Sequence, residues 1–155
     1  MGILLILNGV FMLLCIPFSL YYSQGQLMAL LQSSGITLII GFLVFFSTRK
    51  NQEKELRKRD GYLIVTMGWL VMSFFGTLPY IMSGSIPSIT DAFFETLSGF
   101  STTGATILTD IESVHKGILF WRSLTQWIGG MGIIVLTVAI LPILGIGGMQ
   151  LFVAE

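Results

Sequence analysis

In Gly99-Phe-Ser-Thr-Thr-Gly-Ala-Thr106, four hydroxyl side chains and two glycines follow one another with no charge among them. The chemistry open to such a stretch is neutral coordination of a cation. Backbone carbonyls can replace the water around the ion, and threonine hydroxyls add further neutral oxygens. Gly104 tolerates backbone angles that other residues resist, so successive carbonyls can turn toward one axis. Thr102, Thr103, Gly104, Ala105 and Thr106 are the candidate ligands. Polar turns of this composition are common, so the meaning of the motif depends on where the chain holds it.

The surroundings read as a membrane. Of 155 residues, 54% are hydrophobic and 10% charged, against about 25% charged in a soluble domain. That balance excludes a water-soluble enzyme, a nucleic-acid binder and a disordered tail. No charged side chain occurs in 1–48, 61–90 or 123–154, while nine of the sixteen charged residues crowd into 49–60. An ionised side chain at mid-helix in a bilayer costs roughly 2.5–3.5 kcal/mol or more, so charge-free runs of this length read as spans. A crossing needs about 20 apolar residues. Ile3–Tyr22 and Leu27–Phe46 fit, forming a helical hairpin over 1–46 with a kink expected at Pro17. Gly61–Met82, kinked at Pro79, is the third predicted span and 117–144 the fourth. Met1–Tyr22 has no basic residue before its apolar run and no small-residue cleavage site after it, so it is expected as a retained helix. Cys15, the single cysteine, forms no intramolecular disulfide.

The loop 47–60 holds six of the eight Lys and Arg. Short loops rich in these residues stay in the cytoplasm. With one crossing per span, the N-terminus, this loop and the connector 146–155 are expected inside, and 23–26 and 83–116 outside. The outer segment is too long and too apolar for a casual connection. Ser88 and Asp91 match a helix N-terminal capping pair, and a helix over 89–98 follows. Such a helix would measure about 15 Å, half the hydrocarbon core. It can dip in and stop, with the hydroxyl-rich stretch returning through protein or water. Its C-terminal dipole end would then favour a cation. An ordinary outer loop with an amphipathic helix lying on the bilayer fits the same residues.

The sequence is similar to the TrkH branch of the Trk/Ktr/HKT potassium transporters. Three stretches carry the resemblance: Asp91-Ala-Phe-Phe-Glu-Thr-Leu-Ser-Gly-Phe-Ser-Thr-Thr-Gly-Ala-Thr106, Trp121-Arg-Ser-Leu-Thr-Gln-Trp-Ile-Gly-Gly-Met-Gly132 and Gly147-Gly-Met-Gln-Leu-Phe-Val-Ala-Glu155. The leading hairpin resembles the extra helices which that branch carries before its first pore unit. The resemblance implies an all-α membrane protein in which the hairpin precedes one membrane–pore–membrane unit over 61–145. That unit would hold a re-entrant half-helix at 89–98 and a filter loop at 102–106. It implies potassium uptake across the bacterial inner membrane, with potassium as substrate and no cofactor. Thr102–Thr106 occupy the place of the potassium-channel Thr-Val-Gly-Tyr-Gly, with Gly104 on its first glycine. The second glycine and the Tyr are missing, which implies a looser filter. The partners implied are the lipid bilayer, the remaining pore units of the same chain, a second copy in a homodimer and a cytoplasmic nucleotide-binding regulatory subunit, with no nucleic acid. The family joins four pore units in one chain, so these residues are expected to be the N-terminal portion of a longer transporter. A short subunit that assembles as a homotetrameric channel, and a non-conducting scaffold, are the alternatives.

No nucleophile–base pair, metal cluster or phosphate loop stands out, so no enzyme is expected. His115 reads as a solvated loop residue and Gly129, Gly130 and Gly132 as helix-packing positions. Glu95 on the half-helix and Arg122 at the start of the fourth span should lie at similar depth, where an ion pair would pin the two elements together. Otherwise Arg122 snorkels to headgroups and Glu95 faces water. The topology has a direct test. Cysteines introduced at Gln24 and Ser113 should react with an impermeant thiol reagent added to intact cells, and one at Gln52 should not. Labelling at Gln52 would overturn the assignment of the basic loop to the cytoplasm.

Overall fold

Backbone inside hydrocarbon must satisfy its own N–H and C=O groups, and a helix does so within one segment. The computed structural model of the chain describes residues 1–22, 25–48 and 58–143, with side chains of the last stretch over 62–135. Its helices are α1 (Gly2–Leu13), α2 (Ile16–Tyr21), α3 (Leu27–Thr48), α4 (Lys58–Gly76), α5 (Leu78–Met82), α6 (Ile89–Phe100) and α7 (Lys116–Ile143). Four stretches are long and apolar enough to cross a membrane: Gly2–Tyr21, Leu27–Thr48, Tyr62–Met82 and Lys116–Val135. The protein is an all-α, multi-pass membrane protein. Ser23, Gln24, the basic segment 49–57 and the expected connector 146–155 lie outside the described residues.

Two of the four spans are broken. The first is interrupted at Leu14–Cys15, ahead of Pro17, and the third at Thr77, ahead of Pro79. Proline lacks an N–H and clashes with the preceding turn, so each one is housed in the first turn of a new short helix. The break in the third span has a cost in backbone bonding. The N–H groups of Tyr80 and Ile81 bond to the Thr77 carbonyl at 3.0 and 3.1 Å. That takes the Tyr80 donor away from the carbonyl of Gly76. The indole Nε1–H of Trp121 supplies the replacement, donating to the Gly76 carbonyl at 3.0 Å from a fully buried position on α7.

Residue pairings give the helix directions. Gly9 lies against Leu38 and Gly41 against Ile6, so α1 and α3 are antiparallel and form the hairpin. Leu4 lies against Gly68, and Asn8 Nδ2 donates to the Met72 carbonyl at 3.2 Å, so α1 runs parallel to α4. Trp69 faces Gly132 and Gly76 faces Trp121, so α4 and α7 are antiparallel. Phe18 of α2 stacks on Phe120 of α7 at a centroid distance of 3.8 Å. The core lies where α4–α7 meet, around fully buried Tyr80, Phe100, Ile118 and Trp121. Outward-facing Ile3, Ile39, Leu43, Phe74, Ile134 and Val135 are exposed, a surface suited to hydrocarbon rather than water.

Replacing Trp121 with Phe keeps an aromatic ring in the core and removes the donor to Gly76. The variant should unfold in detergent with a loss of about 1–3 kcal/mol, the usual cost of a stranded buried acceptor. The comparison is a melting curve beside that of Ser123→Ala, which alters an exposed hydroxyl. Equal melting temperatures would mean that the indole contributes shape alone.

Candidate functional site

The site begins at the capped end of α6. Ser88 is extended, and its Oγ accepts from the Asp91 N–H at 3.4 Å, while Asp91 places a carboxylate in the first turn. The helix runs past Ser98 to Phe100. At about 18 Å it is too short for a core of about 30 Å. Glu95 meets Arg122, and a Cβ on Gly99 would strike Thr125 Oγ1, so α6 and α7 run in the same direction. Beyond Phe100 the chain turns back, with Ser98 bonded to Ala105 and Glu95 to Ile107. The segment therefore enters and leaves at one end of the bundle, where α5 finishes and α7 begins. Helix α7 lies against the tip of α6 at Gly129, where any Cβ would collide with the Phe100 carbonyl.

The loop backbone alternates in hand. Thr102 has φ 56° and Gly104 φ 75°, whereas Thr103 and Ala105 keep negative φ. A β-branched residue in the left-handed region costs about 1–2 kcal/mol, so Thr102 is held there against its preference. The N–H groups of Thr102 and Thr103 bond back to the carbonyls of Gly99 and Ser98 at 3.0 and 3.1 Å, which ties the loop to the last turn of α6. Among the described residues, no donor reaches the carbonyls of Thr102, Thr103 and Gly104, and residues 101–107 are all exposed. The hydroxyls are busier than the sequence suggests. Thr102 Oγ1 donates to the Ser101 carbonyl at 2.7 Å, Thr103 Oγ1 pairs with Ser101 Oγ at 2.8 Å, and Thr106 Oγ1 donates to Glu95. Carbonyls rather than hydroxyls are left free.

Glu95 and Arg122 are in contact. Arg122 Nε donates to Glu95 Oε1 at 2.6 Å, with the carboxylate side chain 1% exposed and the guanidinium 17%. The same carboxylate also accepts from Thr106 Oγ1 at 3.0 Å and from the Ile107 N–H at 3.1 Å. One buried group thus joins α6, α7 and the returning end of the loop. The sequence indicates the pair but not the grip on Thr106 and Ile107. Ser98, whose Oγ donates to the Ala105 carbonyl at 2.6 Å, is missed altogether. A hydroxyl in the last turn of a helix beside a hydroxyl-rich loop is the one signal that could have found it.

A family model described as TrkH, cation transport protein, matches residues 26–155. The Trk system potassium uptake protein TrkH of Escherichia coli K12 is 48% identical over 99% of this chain. The Halomonas elongata protein of the same name is 45% identical over 100% of it. The chain spans 32% of the length of each of these curated relatives. The crystal structure of the potassium transporter TrkH from Vibrio parahaemolyticus superposes with a TM-score of 0.86 at 44% identity, covering 95% of this chain and 31% of that one.

The brace can be dissected by a double-mutant cycle on thermal unfolding in detergent. Arg122→Gln strands a buried carboxylate and should cost about 3–5 kcal/mol. Glu95→Gln should cost less, because the freed guanidinium is part-exposed and can reach solvent. The double variant should lose less than the sum by about 1 kcal/mol or more. Additive losses would mean that the two residues act separately.

Proposed function

Because this chain belongs to the TrkH cation transport protein family, we propose that it forms the first pore unit of a potassium uptake protein, with Thr102, Thr103, Gly104, Ala105 and Thr106 lining the ion path. The observation that carries the reading is the row of three consecutive carbonyls, Thr102 to Gly104, that no donor among the described residues reaches. These residues are exposed, so their carbonyls are open to whatever occupies the space beside them. At membrane depth such backbone persists only where it lines water or is buried in protein. Alternating the sign of φ turns neighbouring carbonyls toward one side, which is the arrangement that replaces a hydration shell. The negative end of the α6 dipole adds attraction for a cation.

In this reading α6 dips into the membrane from outside and 102–107 returns to the outer face. The carbonyls of one unit cover one side of the path, so further units of the complete protein close it. The basic segment 49–57 supports an N-terminus and a third-span entry on the cytoplasmic side of a bacterial inner membrane. A homodimer of the complete protein and a cytoplasmic nucleotide-binding regulatory subunit belong to the same proposal, resting on the family. Neutral oxygens suffice for binding, so no cofactor and no enzymatic step enter.

Gly104→Asp is the sharpest test. A Cβ on Gly104 meets nothing within 4 Å. Aspartate also tolerates the left-handed region better than most residues, so the variant should insert and fold. The added charge sits among the free carbonyls. In the complete protein it should abolish growth at low external potassium in cells that depend on this uptake, with normal amounts of protein in the membrane. Unimpaired growth would remove 102–106 from the ion path.

A further inference from the structure

We infer that Ser98 ends the row of ion-facing carbonyls and so acts as a positioning residue for ion selectivity, an inference that rests on reading 102–106 as the ion path. Ser98 stands in the last turn of α6 and is only 6% exposed. A serine or threonine in a helix usually returns its hydroxyl to the carbonyl three or four residues back. Thr96 does this, donating to the Ala92 carbonyl at 2.7 Å. Ser98 instead reaches forward across the loop and donates to the Ala105 carbonyl at 2.6 Å. Its own carbonyl accepts from the Thr103 N–H at 3.1 Å and from Ser101 Oγ at 3.3 Å. One buried residue therefore holds the loop at two points, on either side of Gly104.

The two holds have opposite consequences. The hold on Thr103 engages its N–H alone, and the carbonyls of Thr102, Thr103 and Gly104 meet no donor among the described residues. Capturing the carbonyl of Ala105 turns that oxygen into the protein, where it already has a donor. The alternation of φ runs through Ala105 and goes no further, since Thr106 does not take the positive φ that would continue it. Of the five residues from Thr102 to Thr106, an uninterrupted row of three carbonyls remains for a cation. Discrimination between cations depends on how many carbonyl dipoles surround the ion and how firmly they are held. A hydroxyl that removes one carbonyl and stiffens the next controls both. Three carbonyls per unit also accounts for a looser filter than the longer carbonyl row of a potassium channel, whatever side chain stands at 105.

The test uses the complete protein with potassium, rubidium and sodium as competing ions. Ser98→Ala should insert and transport, but its preference for potassium over sodium should fall by about threefold or more. Ser98→Thr, which keeps the hydroxyl, should stay within about twofold of the original preference. A purely structural role would lower the uptake of all ions in proportion and leave the ratio unchanged. If Ser98→Ala fails to reach the membrane, Ser98→Cys keeps the size with a weaker donor and should still lower the preference. A ratio unaltered in Ser98→Ala, or in Ser98→Cys where the alanine variant does not insert, overturns the inference. Gly104→Asp, measured alongside, separates the two levels. If it abolishes uptake while the Ser98 variants keep the original ratio, Ser98 alone is misassigned. If it leaves uptake intact, the ion path lies elsewhere and both readings fall.

Discussion

Glu95 is where three stretches of chain meet: α6, α7 and the returning end of the loop. A carboxylate in a helical membrane bundle is costly unless its oxygens find donors, and those of Glu95 find Arg122, Thr106 and the Ile107 backbone. Each donor comes from a place that must be fixed relative to α6. Arg122 sets the helix against α7. Thr106 and Ile107 fix the returning arm of a loop whose residues are exposed and make few apolar contacts. At the other end of the loop Ser98 and Gly99 supply the anchors, through the N–H groups of Thr102 and Thr103 and the carbonyl of Ala105. Between these two attachments Thr102 is kept in a left-handed conformation that a free β-branched residue avoids.

The same rule, that a polar backbone group away from water needs a partner, separates the scaffold from the site. Where Pro79 forces a break in the third span, the carbonyl of Gly76 is met by an indole from across the core. Where the loop turns back after α6, the carbonyls of Thr102, Thr103 and Gly104 are left open. The scaffold repairs its irregularities. The loop retains them in exposed backbone, and these open acceptors are what the proposed ion path would use.

The N-terminal hairpin is built into this scaffold rather than appended to it. Asn8 bonds to the Met72 carbonyl, one turn before the end of α4, and Phe18 stacks on Phe120 beside Trp121. The hairpin thus steadies α4 and α7 near the break where Trp121 reaches Gly76. Small residues on α1 and α3 let their backbones approach closely, which is how helices associate when water supplies no hydrophobic drive.

Charge patterning alone determined that this chain is helical and multi-pass, with four stretches among the described residues long and apolar enough to cross a membrane, because ions and unpaired backbone are both expensive in lipid. Local chemistry also announced the short helix, since Ser88 caps within its own turn, and two span breaks were foreshadowed by Pro17 and Pro79. The breaks fall ahead of the prolines because the ring fits the first turn of a following helix better than the middle of a running one. Glu95 and Arg122 could be matched from the sequence because two charges on neighbouring apolar elements have few other ways to be satisfied. Tertiary structure decided the rest. The grip of Glu95 on the Ile107 N–H, the forward reach of Ser98 to Ala105, and the indole on Gly76 all join a side chain to a backbone atom. Every residue except proline carries the same backbone donor and acceptor, so composition and spacing do not mark which of them a side chain will meet. That choice is made only when the loop is folded back along α6 and α7 closes against it.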